Sequence, residues 1–377
     1  MSENQPVRKK KLIALVANSA WSVYNFRMDL IRHLVPRFDV LVIAPEDEFA
    51  AELKKEGCRF LNIQFNNRSE NPLRDFSLYR SLKKIYREQK PDFIFHYVIK
   101  PNIYGSMAAA ACGIESIAVI TGLGYAFARQ NWLNKTVSYL YKRALKRTRE
   151  TWFLNREDAD IFIQRKLVDS RKVKILPGEG INPEYFAPPQ FRPVARTKAF
   201  QFLMSTRLLK SKGVRIYVDA ARILKKKNRD IRFELIGFFE EHHPDSITAQ
   251  DIRYWQRKGY INYNGFAKDV RPFLGQADCL VFPSFYPEGI PRCLMEAASM
   301  EIPIITSLNR GCKEVVEENV NGFLCAMNDA DDLARKMENM IALSPARRSA
   351  MGKKGRELVI GKFDVQKILK EYDRALN

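Results

Sequence analysis

A chain of 377 residues, 46% hydrophobic and 28% charged, has the material for two buried cores rather than one. Its formal net charge of +20 attracts anionic partners, but no helix-turn-helix, zinc-finger or RNA-binding signature accompanies it. Six cysteines without a C-x-x-C pair, four histidines and no apolar run near ~20 residues argue against a zinc site and a membrane span.

Arg8 to Lys11 followed by LIALVA has the look of a secretory leader, but Asn18 and Ser19 end the run early, so it reads as a first strand. The implied location is cytoplasmic. Further short apolar runs follow at Asp39–Ala44, Arg59–Gln64, Asp92–Tyr97, Ser116–Thr121, Thr151–Leu154 and Val173–Leu176. They are continuous rather than alternating, which predicts strands covered on both faces. Helical patterns such as Asn25–Pro36 and Phe76–Gln89 separate them, the signature of βαβ units and a parallel sheet.

Between Pro177 and Pro193 five prolines and two glycines interrupt the rhythm, which predicts an interdomain linker. The alternation then resumes, with strands at Phe200–Ser205, Ile231–Ile236, Tyr260–Asn264, Cys279–Pro283, Ile302–Thr306 and Gly322–Cys325. Helices are predicted at Lys212–Lys227, Asp269–Gln276, Arg292–Met300 and Asp329–Leu343, with two more after the last strand. The fold class is therefore α/β: two doubly wound, Rossmann-like domains facing a cleft. The boundaries are 1–177, a linker at 178–198, 199–360, and a C-terminal helix at 361–377 able to pack back on the first domain.

In such sheets ligands bind beyond the carboxyl ends of the strands. After the strand Cys279–Pro283 comes Pro287-Glu288-Gly289-Ile290-Pro291-Arg292, with Glu296 in the helix that begins there. The prolines and glycine force a tight loop, and the helix N-terminus suits a diphosphate. Glu288 and Glu296 can accept sugar or ribose hydroxyls, or can simply be solvated. After the strand Phe200–Ser205, Arg207 and Lys212 can neutralise phosphates; a basic surface loop is the plain alternative.

Taken in order, these segments resemble the family-4 retaining glycosyltransferases, which have the GT-B architecture. Gly180-Ile181-Asn182 with Phe186, Phe233 to Gly237, Gly265 to Val270, Gly311 to Val316 and Asn321 to Leu324 extend the likeness. The resemblance implies that Arg207 and Lys212 hold a donor diphosphate and that Glu296 holds the ribose. It assigns the donor sugar to Glu288 and the backbone of Gly289, Ile290 and Pro291, with Gly237 and Gly265 in the donor loops. Arg207, Lys212 and Glu288 become the catalytic group. The resemblance also implies retention of configuration, no metal and no cofactor.

The first half departs from the common pattern, with Asn18-Ser19-Ala20 where many members carry a glycine pair and Thr121-Gly122-Leu123-Gly124 where many carry a histidine. It resembles instead a subgroup acting on undecaprenyl-diphosphate sugars in bacterial surface-glycan assembly. That likeness makes Tyr24, Arg27, His96, Lys100, Asn102 and Gly122 the candidate acceptor contacts. Arg27 and Lys100 could equally be surface charges, and His96 a packed core residue.

The segment Trp132–Arg149 mixes Trp132, Leu133, Val137, Tyr139, Leu140 and Leu145 with six basic residues. A basic amphipathic helix of this kind is attracted to anionic lipid, and a core-packed helix with a solvated basic face has the same composition. The expected function is transfer of a sugar from a nucleotide-sugar donor, a UDP-sugar such as a UDP-N-acetylhexosamine, to a lipid-linked saccharide on the inner face of the membrane. An epimerase of the same fold acting on UDP-sugars and a basic nucleic-acid-binding protein are the rivals.

Overall fold

The computed structural model describes residues 10–64, 72–123, 132–188, 199–227, 230–240 and 243–377, and the chain divides into two units, 1–179 with 368–377, and 180–367. Among the described residues the first unit holds the strands β1 (Leu12–Val16), β2 (Asp39–Ala44), β3 (Arg59–Asn62), β4 (Phe93–Tyr97), β5 (Glu115–Ile120), β6 (Glu150–Phe153) and β7 (Val173–Ile175). They lie in the order β3-β2-β1-β4-β5-β6-β7, all parallel. The second unit holds β8 (Phe200–Ser205), β9 (Ile231–Ile236), β10 (Asn262–Tyr263), β11 (Cys279–Phe282), β12 (Ile304–Ser307) and β13 (Gly322–Cys325), ordered β10-β9-β8-β11-β12-β13 and again parallel. These are the two doubly wound domains that the continuous apolar runs predict.

Side chains paired across a parallel ladder share a face, so register sorts the first sheet. Ala14, Leu41, Ile94 and Ser116 are mutually paired, as are Val16, Ile43, His96 and Ala118. This face is covered by the helices Pro72–Gln89, Ser106–Ala111 and Trp132–Leu145, through Leu78, Leu82 and Tyr86 and through Tyr141, Ala144 and Leu145. The opposite face carries Phe95, Tyr97 and Trp152. Tyr372 of the last helix, Val365–Leu376, packs against it, with ring centroids 4.8 Å from Phe95 and 5.0 Å from Trp152.

Several local expectations shift. The first helix starts at Ala20 rather than Asn25, because Ser19 caps it by accepting from the Ser22 amide at 3.1 Å. Strand β10 is two residues long, not five, and the helix expected over 269–276 is only Arg271–Leu274. A helix at Ala249–Arg257 was not foreseen, although its Thr248/Asp251 capping box is a sequence-level signal. The proline-rich segment is no separate connector where it is described. Ile181 is buried and exchanges backbone hydrogen bonds with Phe363 and Val365, and Phe186 joins the second core; residues 189–198 lie outside the described set.

The basic helix ends at Leu145 rather than Arg149 and is a packed element. Tyr141, Ala144 and Leu145 are inside the first core, with Val137 and Leu140 against it, while Lys135, Lys142, Arg143, Lys146 and Arg147 are exposed. Its apolar stripe is consumed by the sheet. The side chains of Trp132 and Leu133, and Gly124, lie outside the described residues. Among the described residues no helix is long and apolar enough to cross a membrane.

Candidate active site

In the second unit β8 and β11 are neighbours from which the sheet is wound in opposite directions, so their carboxyl ends flank a topological switch point. The loop after β8 carries Arg207 and Lys212. The loop after β11 carries Ser284 to Pro291. Gly213, at φ 82°, turns the chain out of the short 3-10 turn Lys210–Lys212, and a Cβ there would lie 2.2 Å from the Pro283 carbonyl oxygen. Only glycine lets the two loops approach this closely.

The approach brings Lys212 onto Glu288. Lys212 Nζ donates to Glu288 Oε1 at 2.5 Å, and Ser284 Oγ donates to the same oxygen at 2.7 Å. The ammonium also stands 4.7 Å from the centroid of the Tyr286 ring. Both charged residues are buried, 7% and 9% exposed, so water screens the pair weakly. The two residues read from separate motifs are one ion pair.

A third loop fixes this arrangement. Asn309, just after β12, donates through Nδ2 to the carbonyls of Ser284 at 3.1 Å and Tyr286 at 2.5 Å. Ser307 Oγ donates to the Ser284 carbonyl as well, and a Cβ on Gly311 would stand 1.5 Å from the Gly289 oxygen. Residues 307–311 therefore hold the 284–289 loop by side-chain donors and by direct backbone contact.

Arg207 lies apart from this pair: its Nη1 donates to Glu240 Oε2 at 2.8 Å, at a half-buried site. Glu296 accepts from Arg292 Nε at 2.8 Å, one turn back in the helix Arg292–Ser299. No side chain caps that helix, whose N-cap is Pro291; Gly289, Ile290 and Pro291 form its buried approach. Cys293 on its first turn is pushed well above the usual thiol range by burial, then by the carboxylates of Glu296 and Glu288. Both glutamates thus act on one point at the start of the helix. Gly237 and Gly265 meet through the Gly237 amide and Gly265 carbonyl at 2.9 Å, and a Cβ on Gly237 would lie 1.7 Å from the Thr206 oxygen. Beside them Phe238 and the exposed Phe266 make an edge-to-face pair.

Most of the first-half candidates are turned inward. His96 is fully buried, with Nε2 2.9 Å from Tyr86 Oη and Nδ1 3.3 Å from Ser106 Oγ; burial pushes its pKa down to about 3. It is a packed neutral histidine, not a group presented to a ligand. Arg27 is 6% exposed, ion-paired to Glu179 and 4.1 Å from the Tyr97 ring centroid. Burial works against its charge, but the Glu179 carboxylate together with Tyr372 and Tyr97 outweighs this and raises the guanidinium pKa. Lys100 donates to Asp75 Oδ1 at 2.6 Å, and Asn102 is wholly buried, donating to the Val119 carbonyl at 2.9 Å. Tyr24 and Gly122 remain partly exposed. Val98, beside Lys100, holds φ 64°, a conformation a β-branched residue rarely takes.

Sequence reasoning missed Ser284, Glu240 and Asn309. Ser284 and Asn309 each lie two residues beyond the carboxyl end of a strand, a position that could have flagged them. Glu240 carries no such signal.

Residues 189–358 match the family model described as Glycosyl transferases group 1, and residues 12–154 match Glycosyl transferase 4-like. Over 97% of this chain and 99% of the relative, the chain is 27% identical to the N,N'-diacetylbacillosaminyl-diphospho-undecaprenol alpha-1,3-N-acetylgalactosaminyltransferase of Campylobacter jejuni. It is 26% identical to the UDP-Gal:alpha-D-GlcNAc-diphosphoundecaprenol alpha-1,3-galactosyltransferase of Escherichia coli, over 88% of this chain and 87% of that one. Among solved structures, Anabaena Alr3699/HepE in complex with UDP and glucose is similar in fold, with a TM-score of 0.80 at 18% identity, covering 97% of this chain and 99% of that one. The two halves match two glycosyltransferase family models, and the chain is a glycosyltransferase of the GT-B fold.

Proposed function

We propose that the enzyme transfers a hexosyl or N-acetylhexosaminyl group from a UDP-sugar to an undecaprenyl-diphosphate-linked saccharide, with retention of configuration and without a metal, at the inner face of the cell membrane. The observation that carries this reading is the buried Lys212–Glu288 pair at the carboxyl ends of β8 and β11, beside an uncapped helix N-terminus. The ammonium and the helix start supply positive potential where a diphosphate leaves, and Glu288 supplies acceptors for sugar hydroxyls. In the proposed step the bond from the donor's anomeric carbon to the phosphate oxygen breaks. The acceptor hydroxyl bonds to that carbon on the same face, and its proton passes to the departing phosphate, giving UDP. The named undecaprenyl-diphosphate substrates of the Campylobacter and Escherichia relatives support the acceptor class.

The test is nucleoside diphosphate release (UDP or GDP) from a panel of UDP- and GDP-sugars, with and without a detergent-dispersed undecaprenyl-diphosphate saccharide. Acceptor-dependent UDP release, an unchanged rate in EDTA and an α-linked product from an α-linked donor are expected. UDP release that ignores the acceptor, or loss of activity in EDTA, sinks the corresponding part of the reading.

A further inference from the structure

The two most exposed aromatic side chains among the described residues are Phe76 and Tyr139, at 56% and 57%. They belong to the helices Pro72–Gln89 and Trp132–Leu145, which cover the same face of the first sheet and both pack on the turn Pro101–Gly105. The sides of these helices turned away from the sheet therefore look in a common direction.

Each aromatic heads a basic stripe. Arg80, Lys84 and Arg87 follow Phe76 at helical spacing, with the Arg80 guanidinium 5.9 Å from the Phe76 ring centroid. Lys142, Arg143 and Lys146 follow Tyr139, and Arg143 Nη1 donates to the Tyr139 hydroxyl at 2.9 Å. The helix Trp132–Leu145 contains no acidic residue; on the other helix Asp75 is already paired with Lys100, and Glu88 offsets Lys84 at 3.8 Å, which leaves Arg80 and Arg87 as the cations beside Phe76. An aromatic ring beside guanidinium and ammonium groups matches the boundary between acyl chains and anionic headgroups, where the ring enters the apolar layer and the cations meet phosphates.

We propose that these two helices form one docking face for an anionic phospholipid bilayer, with Phe76 and Tyr139 as its two inserting side chains. The proposal rests on the lipid-linked acceptor reading and gives it a surface. It also replaces the apolar stripe of the second helix, which the core consumes, with rings that the fold leaves outside.

The experiment is co-sedimentation of the full chain with phosphatidylglycerol–phosphatidylcholine vesicles and with phosphatidylcholine vesicles, at low and high salt. Phe76→Ser and Tyr139→Ser change no charge and alter exposed side chains; unfolding midpoints check that the fold is kept. Each should lower partitioning to the anionic vesicles about tenfold, and the double variant should lose more than either. Tyr254→Ser, at an exposed tyrosine of the second unit beside Lys258, should leave partitioning unchanged. Wild-type binding that ignores lipid charge, a wild type that does not pellet, normal pelleting of the double variant, or an equal loss in Tyr254→Ser overturns the proposal. Failure of the transferase reading shows separately, as absent acceptor-dependent UDP release by the wild type in detergent.

Discussion

The ammonium of Lys212 has a carboxylate on one side and an aromatic face on another, all largely out of water. Its removal strands Glu288 as a buried charge, which costs on the order of 3–5 kcal/mol. Lys212→Ala should therefore lose both turnover and stability, seen as a lower urea midpoint. Arg207 differs, because its pair with Glu240 is half-exposed, and such pairs contribute about 0–1 kcal/mol. Arg207→Ala should cut kcat with almost no change in midpoint, and normal kcat would remove it from the phosphate site. Glu296→Ala should weaken donor binding by about 1.5–3 kcal/mol in calorimetry, the cost of a lost charged hydrogen bond. His96 sets a pH dependence. Its folded pKa, about 3, lies below the ordinary value of 6.5, so the unfolded chain takes up the proton first. The contribution is intact above pH 6.5 and falls by about 1.4 kcal/mol per pH unit as the medium is acidified toward pH 3. A variant folded without the imidazole, His96→Gln, should show a shallower loss of stability between pH 6 and 5.

At the scale of elements, loops rather than helices set the site. The segment 307–311 grips the segment 284–289 so tightly that any side chain at position 311 meets the Gly289 carbonyl. Gly311→Ala must push that loop, and with it Glu288, away from Lys212. It should abolish turnover while UDP still binds measurably, and full activity would show that the loop tolerates displacement. The helix Trp132–Leu145 makes the opposite case. Its basic residues are exposed and its apolar ones are in the core, so reversing Lys142, Arg143, Lys146 and Arg147 to glutamate should leave the unfolding midpoint within a few degrees. Each basic residue near an anionic surface is worth about 1 kcal/mol, so the same variant should stop pelleting with anionic vesicles.

For the whole molecule, the last helix closes the first core from the far end of the sequence. Tyr372 covers Phe95 and Trp152, its hydroxyl meets that of Tyr97 at 2.9 Å, and Arg374 pairs with Glu150. Truncation before Val365 uncovers an aromatic face of the first sheet. The shortened chain should lose the unfolding transition of that unit and bind a hydrophobic dye, while the second unit keeps its own transition. A single unchanged transition would mean that the helix adds nothing to the first core.

What the sequence determined by itself is the architecture and the motif positions. Continuous apolar runs such as LIALV and DVLVIA can be satisfied only by strands buried on both faces, and helical patterns between them force parallel crossovers. The loops after β8 and β11 were legible because glycine and proline announce tight turns wherever they stand. Partnership was not legible. Nothing in the chain order says that Lys212 lies on Glu288, that Asn309 holds the 284–286 loop, or that Arg27 is spent on Glu179, since each pairing spans 23 to 152 positions. Nor does amphipathic spacing tell whether an apolar stripe faces a core or a membrane, because both are apolar solvents of the same geometry. Only the packing of Tyr141, Ala144 and Leu145 against the sheet decided that, and it left Phe76 and Tyr139 as the rings that face outward.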